Sequence, residues 1–248
     1  MKVLRIFLFT IGLILILFSC QKNNQRQDDN PAPPENSYSA LSVSYRVDNL
    51  PLLKDSLMYT NAAGNVWSLQ RLNYFLSQIA LIKADSSTEG LLGYCYVDGL
   101  DISKNTFTLG NIKPGDYIGL SFNIGLDSLL NRPDALPSVT ELNNMVWPEP
   151  MGGGYHVLKL EGYFRNAGSL FGYALHLGTN ACRIPIRLFK HIQVKSGEAL
   201  KLNLSMNVNE WFMNPYQYDL DQDGNYTMGN AVLMMKIAGN GKDVFTLY

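Results

Sequence analysis

The sequence predicts an all-β chain: a β-sandwich-like domain with long loops and one short C-terminal helix. Two patterns carry that reading. Apolar and polar side chains alternate over many short segments, the signature of half-buried strands, and clusters of Gly, Asn, Asp and Pro punctuate them at regular spacing. Strands do not alternate with helical patterns as a parallel α/β sheet would require, so a sandwich is favoured.

Residues 41–47 (LSVSYRV) alternate strictly and predict the first strand. Residues 61–65 (NAAGN) form a turn, since Asn and Gly tolerate positive φ. Residues 66–83 follow with β-branched and aromatic residues near period two, although Leu69, Leu72, Phe75 and Leu76 also fit a helix over 69–77. Further strands are expected at 92–97, 117–124, 155–164, 171–177, 183–188 and 199–208. Residues 127–144 read as loop with one helical turn near Leu129. Residues 228–238 (MGNAVLMMKIA) predict the helix, ended by Gly239-Asn240-Gly241 through a left-handed cap, and 243–248 a last strand.

The N-terminus gives an address. Lys2 and Arg5 precede an apolar run over 6–18 that is too short to span a bilayer comfortably, the form of a signal peptide. It ends in Leu17-Phe18-Ser19-Cys20, which resembles a bacterial lipobox. Cys20 would then carry lipid and become the first mature residue; the alternative is an ordinary signal peptide cut near Ser19. Gln21, where inner-membrane retention would need Asp, favours an outer-membrane lipoprotein of the cell envelope. Residues 20–37, rich in Gln, Asn, Asp and Pro, are expected to be a disordered tether, with a single domain over 38–248. With Cys20 lipidated, Cys95 and Cys182 remain. An even pair in an oxidising compartment predicts a disulfide, against the alternative of two free thiols.

A net charge of −1 argues against nucleic acid as a partner, because that would call for a clustered basic face. No Ser-His-Asp spacing, paired catalytic carboxylates or zinc signature occurs, so the chain reads as a binding protein rather than an enzyme. Chemistry concentrates between Met145 and Cys182, which holds two of the three histidines. His156 and His176 converge if their strands pair across the turn at 166–170, and Met145 and Met151 could add thioethers; imidazole and thioether suit copper. The competing reading makes His156 a core histidine, on a face with Leu158 and Leu160. His191 reads as surface, and Glu161 with Lys159 as a rim ion pair.

A second candidate is Asp219-Leu220-Asp221-Gln222-Asp223-Gly224-Asn225, which matches the first half of an EF-hand-type calcium loop. Asp219, Asp221, Asp223 and Asn225 are its expected oxygen donors. The closing Glu is missing, because Asn230 stands at position twelve. The alternative is a hydrophilic Asp/Gly loop.

Taken in order, YTNAAGNVWSLQRLNYFLSQIAL, IKPGDYIGLSFNIGLD, MVWPEPMGGGYHVLKLEG, YALHLGTNAC and MMKIAGNGKDVF resemble the MbnP-like family, periplasmic proteins associated with methanobactin operons and copper handling. The resemblance implies a β-sandwich-like envelope protein. It implies copper held by histidines and by a tryptophan oxidised to kynurenine, with a dihaem, peroxidase-like cytochrome as the partner that makes the modification. On matching positions, Trp147 is the residue to be modified and His176 of the HLG motif a ligand. The chain departs from the family pattern at Glu149, where a second aromatic is usual, and in the turn lengthened by Gly152 and Gly153. A binding or scaffolding lipoprotein with a calcium-stabilised loop and no copper is the competing function. Exposed-looking aromatics suggest, more weakly, a glycan-contacting surface.

Overall fold

A computed structural model describes residues 38–248; the expected signal peptide, Cys20 and the tether lie outside the described residues. Among the described residues, twelve strands form two sheets. In chain order they are β1 (Ala40–Val47), β2 (Leu50–Pro51), β3 (Tyr59–Thr60), β4 (Val66–Ile82), β5 (Thr88–Asp98), β6 (Thr106–Thr108), β7 (Gly115–Ile124), β8 (Leu158–Asn166), β9 (Ser169–Leu177), β10 (Ile184–Val194), β11 (Lys201–Asn207) and β12 (Phe245–Leu247). Two α-helices among the described residues interrupt them, α1 (Thr140–Asn143) and α2 (Ala231–Asn240), beside short 3-10 turns. The first sheet runs β12-β11-β1-β2 with β6 also on β1; the second runs β10-β7-β4-β8-β9 with β3 and β5 also on β4. Between them lies one large apolar core, so the sandwich expected from the alternation is what forms.

Strand β4 is the axis of the second sheet. Its segment 73–82 pairs with β5 along one edge; along the other, 66–74 pairs with β8 and 76–82 with β7. The helical alternative over 69–77 is excluded, because these residues hydrogen-bond to strands on both sides. Helical spacing of the apolar residues arises from burial on both faces. Leu72, Tyr74 and Leu76 enter the main core, while Phe75 enters a second, smaller cluster with Leu126, Leu136, Leu142, Met145 and Tyr155. Fully burying such a side chain stabilises by about 1.5–3 kcal/mol.

That smaller cluster anchors the loop expected over 127–144. The segment packs on Phe75, with the expected helical turn at Leu129, where the Asn131 N–H donates to the Asp127 carbonyl at 2.7 Å, and with α1 added at 140–143. Asn131 ties it down: its Oδ1 accepts from the Tyr155 N–H at 2.7 Å, and its amide donates to Asn180 Oδ1 at 2.9 Å.

Three further expectations are revised. Helix α2 starts at Ala231, where the Asn230 side chain accepts the Leu233 N–H, and its last turn meets Gly241 in a right-handed conformation. Gly241 is required by space rather than by φ, since a Cβ there would lie 2.5 Å from Trp211 and Ile184. The expected Cys95–Cys182 disulfide does not form; both thiols are free and buried. Register explains why. Cys95 pairs with Leu76, Leu76 with Ile124 and Ile124 with Ile184, so two strands stand between Cys95 and the chain at Cys182–Ile184. Three strand spacings are about 14 Å, twice the reach of a disulfide.

Candidate metal centre

Residues 145–156 form a narrow antiparallel ribbon that leads into β8. Val146 bridges Tyr155, the Trp147 N–H donates to the Gly154 carbonyl at 2.8 Å, and the His156 N–H to the Met145 carbonyl at 2.7 Å. The ribbon is closed by Gly152, Gly153 and Gly154, whose φ values of 112°, 66° and 83° only glycine adopts in succession without strain. This pairing places Met145 opposite His156 and Trp147 diagonally across from it. The indole and the His156 imidazole meet edge to face, ring centroids 4.8 Å apart.

The hairpin β8–β9 supplies the second histidine. Its tight register sets Lys159 opposite His176 and Glu161 opposite Ala174. The two imidazoles thereby meet, with centroids 5.1 Å apart and planes at 86°. His156 does not share the face of Leu158 and Leu160, as strict alternation predicts. Strand β8 begins only at Leu158, and His156 belongs to the preceding ribbon, so the period of two does not reach it.

Each imidazole has one partner and one bare nitrogen. His156 Nδ1 lies 3.0 Å from the Met145 carbonyl oxygen, which can only accept, so Nδ1 carries the proton and Nε2 the lone pair. Burial pushes the His156 pKa down to about 3, which keeps the ring neutral at physiological pH. His176 Nε2 lies 2.8 Å from Glu161 Oε1. Burial pushes the Glu161 carboxyl up, but the hydrogen bond from His176 and the Arg71 charge outweigh it and hold it below its ordinary value. As a carboxylate it accepts only, and His176 Nε2–H donates. His156 Nε2 and His176 Nδ1 are both buried without a hydrogen-bond partner among the described residues. Buried polar nitrogens rarely stay unpaired unless a water, ion or ligand serves them. Two neighbouring orphan imidazole nitrogens fit a soft or borderline metal ion.

The surroundings are close-fitting. Gly178 lies against the Trp147 ring, where a Cβ would come within 2.2 Å of the indole. The Trp147 Nε1–H donates to the Met151 carbonyl at 3.0 Å. Thr227 is fully buried and clamps the His176 backbone, accepting its N–H at 2.8 Å and donating to its carbonyl at 2.7 Å. Glu161, Gly178 and Thr227 escaped sequence reasoning. Glu161 was expected to pair with Lys159; instead it bonds His176 and Arg71, and the Lys159 ammonium donates to the Asn144 carbonyl. Only the two-residue diagonal across a hairpin, Glu161 to His176, could have flagged it. Met145 contributes its carbonyl to His156, and His191 is exposed beside Asp116, as a surface residue.

The Asp219 loop has its oxygens engaged by protein donors. Asp219 Oδ1 accepts from Asn65 Nδ2 at 3.1 Å and from the N–H groups of Asp221 and Gln222. Burial raises the Asp219 carboxyl, but these donors outweigh it and hold it below its usual range. Lys236 Nζ reaches both oxygens of Asp223 at 2.7 and 2.6 Å. Asp221 bonds Asn166 and Gln222, and the Asn225 amide donates to the Gly172 carbonyl at 2.8 Å, away from the carboxylates. Among the described residues, no group of three or more His, Cys, Asp or Glu side chains is placed to hold a metal ion.

Comparison with known proteins agrees with this fold. The family model MbnP matches residues 36–234, most of the chain. The chain belongs to the MbnP family. Among solved structures, MbnP from Methylosinus trichosporium superposes with a TM-score of 0.55 at 13% identity, covering 84% of this chain and 97% of that one. At that identity the likeness to MbnP speaks for the shared sandwich alone. No curated protein matches the chain.

Proposed function

We propose that this MbnP-family chain is a non-enzymatic, membrane-anchored envelope protein that binds copper at His156 and His176 beside Trp147. The observation that carries the reading is the pair of buried, unpartnered nitrogens on two imidazole rings in contact. Neutral imidazole is a good copper donor, and the low pKa of His156 removes proton competition at that ring. Two imidazoles are a sparse donor set. Trp147, in contact with His156, is the neighbour whose oxidation to kynurenine would add carbonyl and amine donors, as family resemblance implies, with a dihaem cytochrome as the partner for that step. Lipidation at Cys20 would hold the domain at the outer membrane.

We read the Asp219–Asn225 segment as a structural turn closed by Lys236 rather than a calcium site. The Lys236 ammonium sits on Asp223 where a cation would otherwise be drawn.

The test is elemental analysis with intact mass on protein purified from its native envelope. Copper that is present in the wild type and lost in His176→Ala, with a mass change located at Trp147, supports the proposal. Full copper in His176→Ala overturns the ligand assignment, and wild-type protein that takes up no copper overturns the function.

A further inference from the structure

Glu161 and Arg71 reach the His176 ring from the solvent side. The chain arranges this through a bulge. Leu69 pairs with Gly162 and Arg71 with Glu161, so Gln70 is an extra residue in β4. A regular strand would set Gln70 opposite Glu161. The bulge instead delivers Arg71, whose Nη1 lies 2.9 Å from Glu161 Oε1, the same oxygen that sits 2.8 Å from His176 Nε2. Arg71 is half exposed, whereas the His176 side chain is largely buried, so the row runs from solvent inward: guanidinium, carboxylate, imidazole, orphan Nδ1.

We infer that Glu161, oriented by Arg71, is a positioning residue that fixes His176 as the Nε2–H tautomer and so presents Nδ1 as its metal-binding nitrogen. The inference rests on reading the imidazole pair as a metal centre. A carboxylate behind a ligating histidine orients the ring, selects the tautomer and raises its basicity. His156 obtains the same service from a backbone carbonyl, that of Met145, and presents the opposite nitrogen, Nε2. The donor set therefore pairs one Nδ1 with one Nε2. Of the two supports, only that of His176 is a side chain, so only it can be removed by substitution. Without Glu161, His176 Nε2 would lose the one partner that decides where the proton resides, and the ring would populate both tautomers.

The experiment is ring-nitrogen NMR on copper-free protein labelled with 15N-histidine, for the wild type, Glu161→Ala and Glu161→Gln. The wild type is expected to show His176 protonated at Nε2 and bare at Nδ1. In Glu161→Ala the two ring nitrogens should move toward averaged shifts. Glu161→Gln, whose amide oxygen still accepts, should restore the wild-type pattern. His156, held by Met145, should keep its Nδ1–H form throughout and reports that the fold is intact. An unchanged His176 tautomer in Glu161→Ala, or its loss in Glu161→Gln as well, would overturn the inference. Copper(I) affinity of the same three proteins is the second readout. A drop of roughly 10–100-fold in Glu161→Ala, recovered in Glu161→Gln, is the expected size for removing such a support. Because the tautomer is read without metal, a wild type that binds no copper would overturn the function proposed above while the positioning role stands or falls on the NMR.

Discussion

His156 and His176 come from different elements, a glycine-closed ribbon and a β-hairpin, yet their rings meet at 86° with centroids 5.1 Å apart. Each ring is held from outside by an oxygen acceptor, Met145 for one and Glu161 for the other, and each leaves one nitrogen bare and buried. Preorganisation of this kind removes the reorganisation that metal binding would otherwise demand.

Acid should destabilise the copper-free protein through His156. Its pKa is lowered from 6.5 to about 3 in the folded state, so the unfolded chain binds the extra proton more readily. Stability contributed by keeping this ring neutral is present above about pH 6.5 and is lost as pH falls toward 3, by on the order of a few kcal/mol. Denaturant melts between pH 7 and pH 4 should show a shallower loss in His156→Gln than in the wild type. Equal slopes would mean that the ring is not protected from protonation.

Gly178→Ala should move Trp147. The added methyl would stand 2.2 Å from the indole, on which the ribbon closes. Overpacking of this kind costs about 1–3 kcal/mol. Thermal unfolding should show that loss, and copper uptake should fall with it. Gly90→Ala in β5 offers a control, because that glycine has open space around it and no positive φ.

Calcium should leave the melting temperature of the wild type unchanged. In Lys236→Met the two oxygens of Asp223 lose their ammonium, and Asp219, Asp221 and Asp223 are left as an uncompensated acidic turn. That variant should lose about 1 kcal/mol of stability and regain part of it when calcium is added. Calorimetry with and without calcium checks both arms; a calcium-dependent rise in the wild type would restore the loop as a cation site.

The sandwich was legible because most strands alternate, and the hairpin β8–β9 because its apolar registers match across a two-residue turn. What sequence could not supply came from places where alternation breaks. Residue 156 lies outside β8, so its face could not be counted from Leu158. The β4 bulge at Gln70 reverses which side chain meets Glu161, and no local pattern announces a bulge. Phe75 read as an ordinary strand residue, yet with Leu126 it belongs to the small core that also holds Met145 and Tyr155. The two cysteines invited pairing by number alone, and only register shows β4 and β7 standing between them. Trp147 was reached through family resemblance and His176 through both strand pairing and resemblance, whereas the roles of Glu161, Gly178 and Thr227 became visible through geometry.

The most direct test of the centre is copper X-ray absorption on protein loaded with one equivalent of copper(I), in the wild type, His156→Ala and His176→Ala. Two-imidazole scattering in the wild type, reduced to one in each single variant, is the result expected if both rings bind the same ion. An identical spectrum in all three would place copper elsewhere and contradict the account.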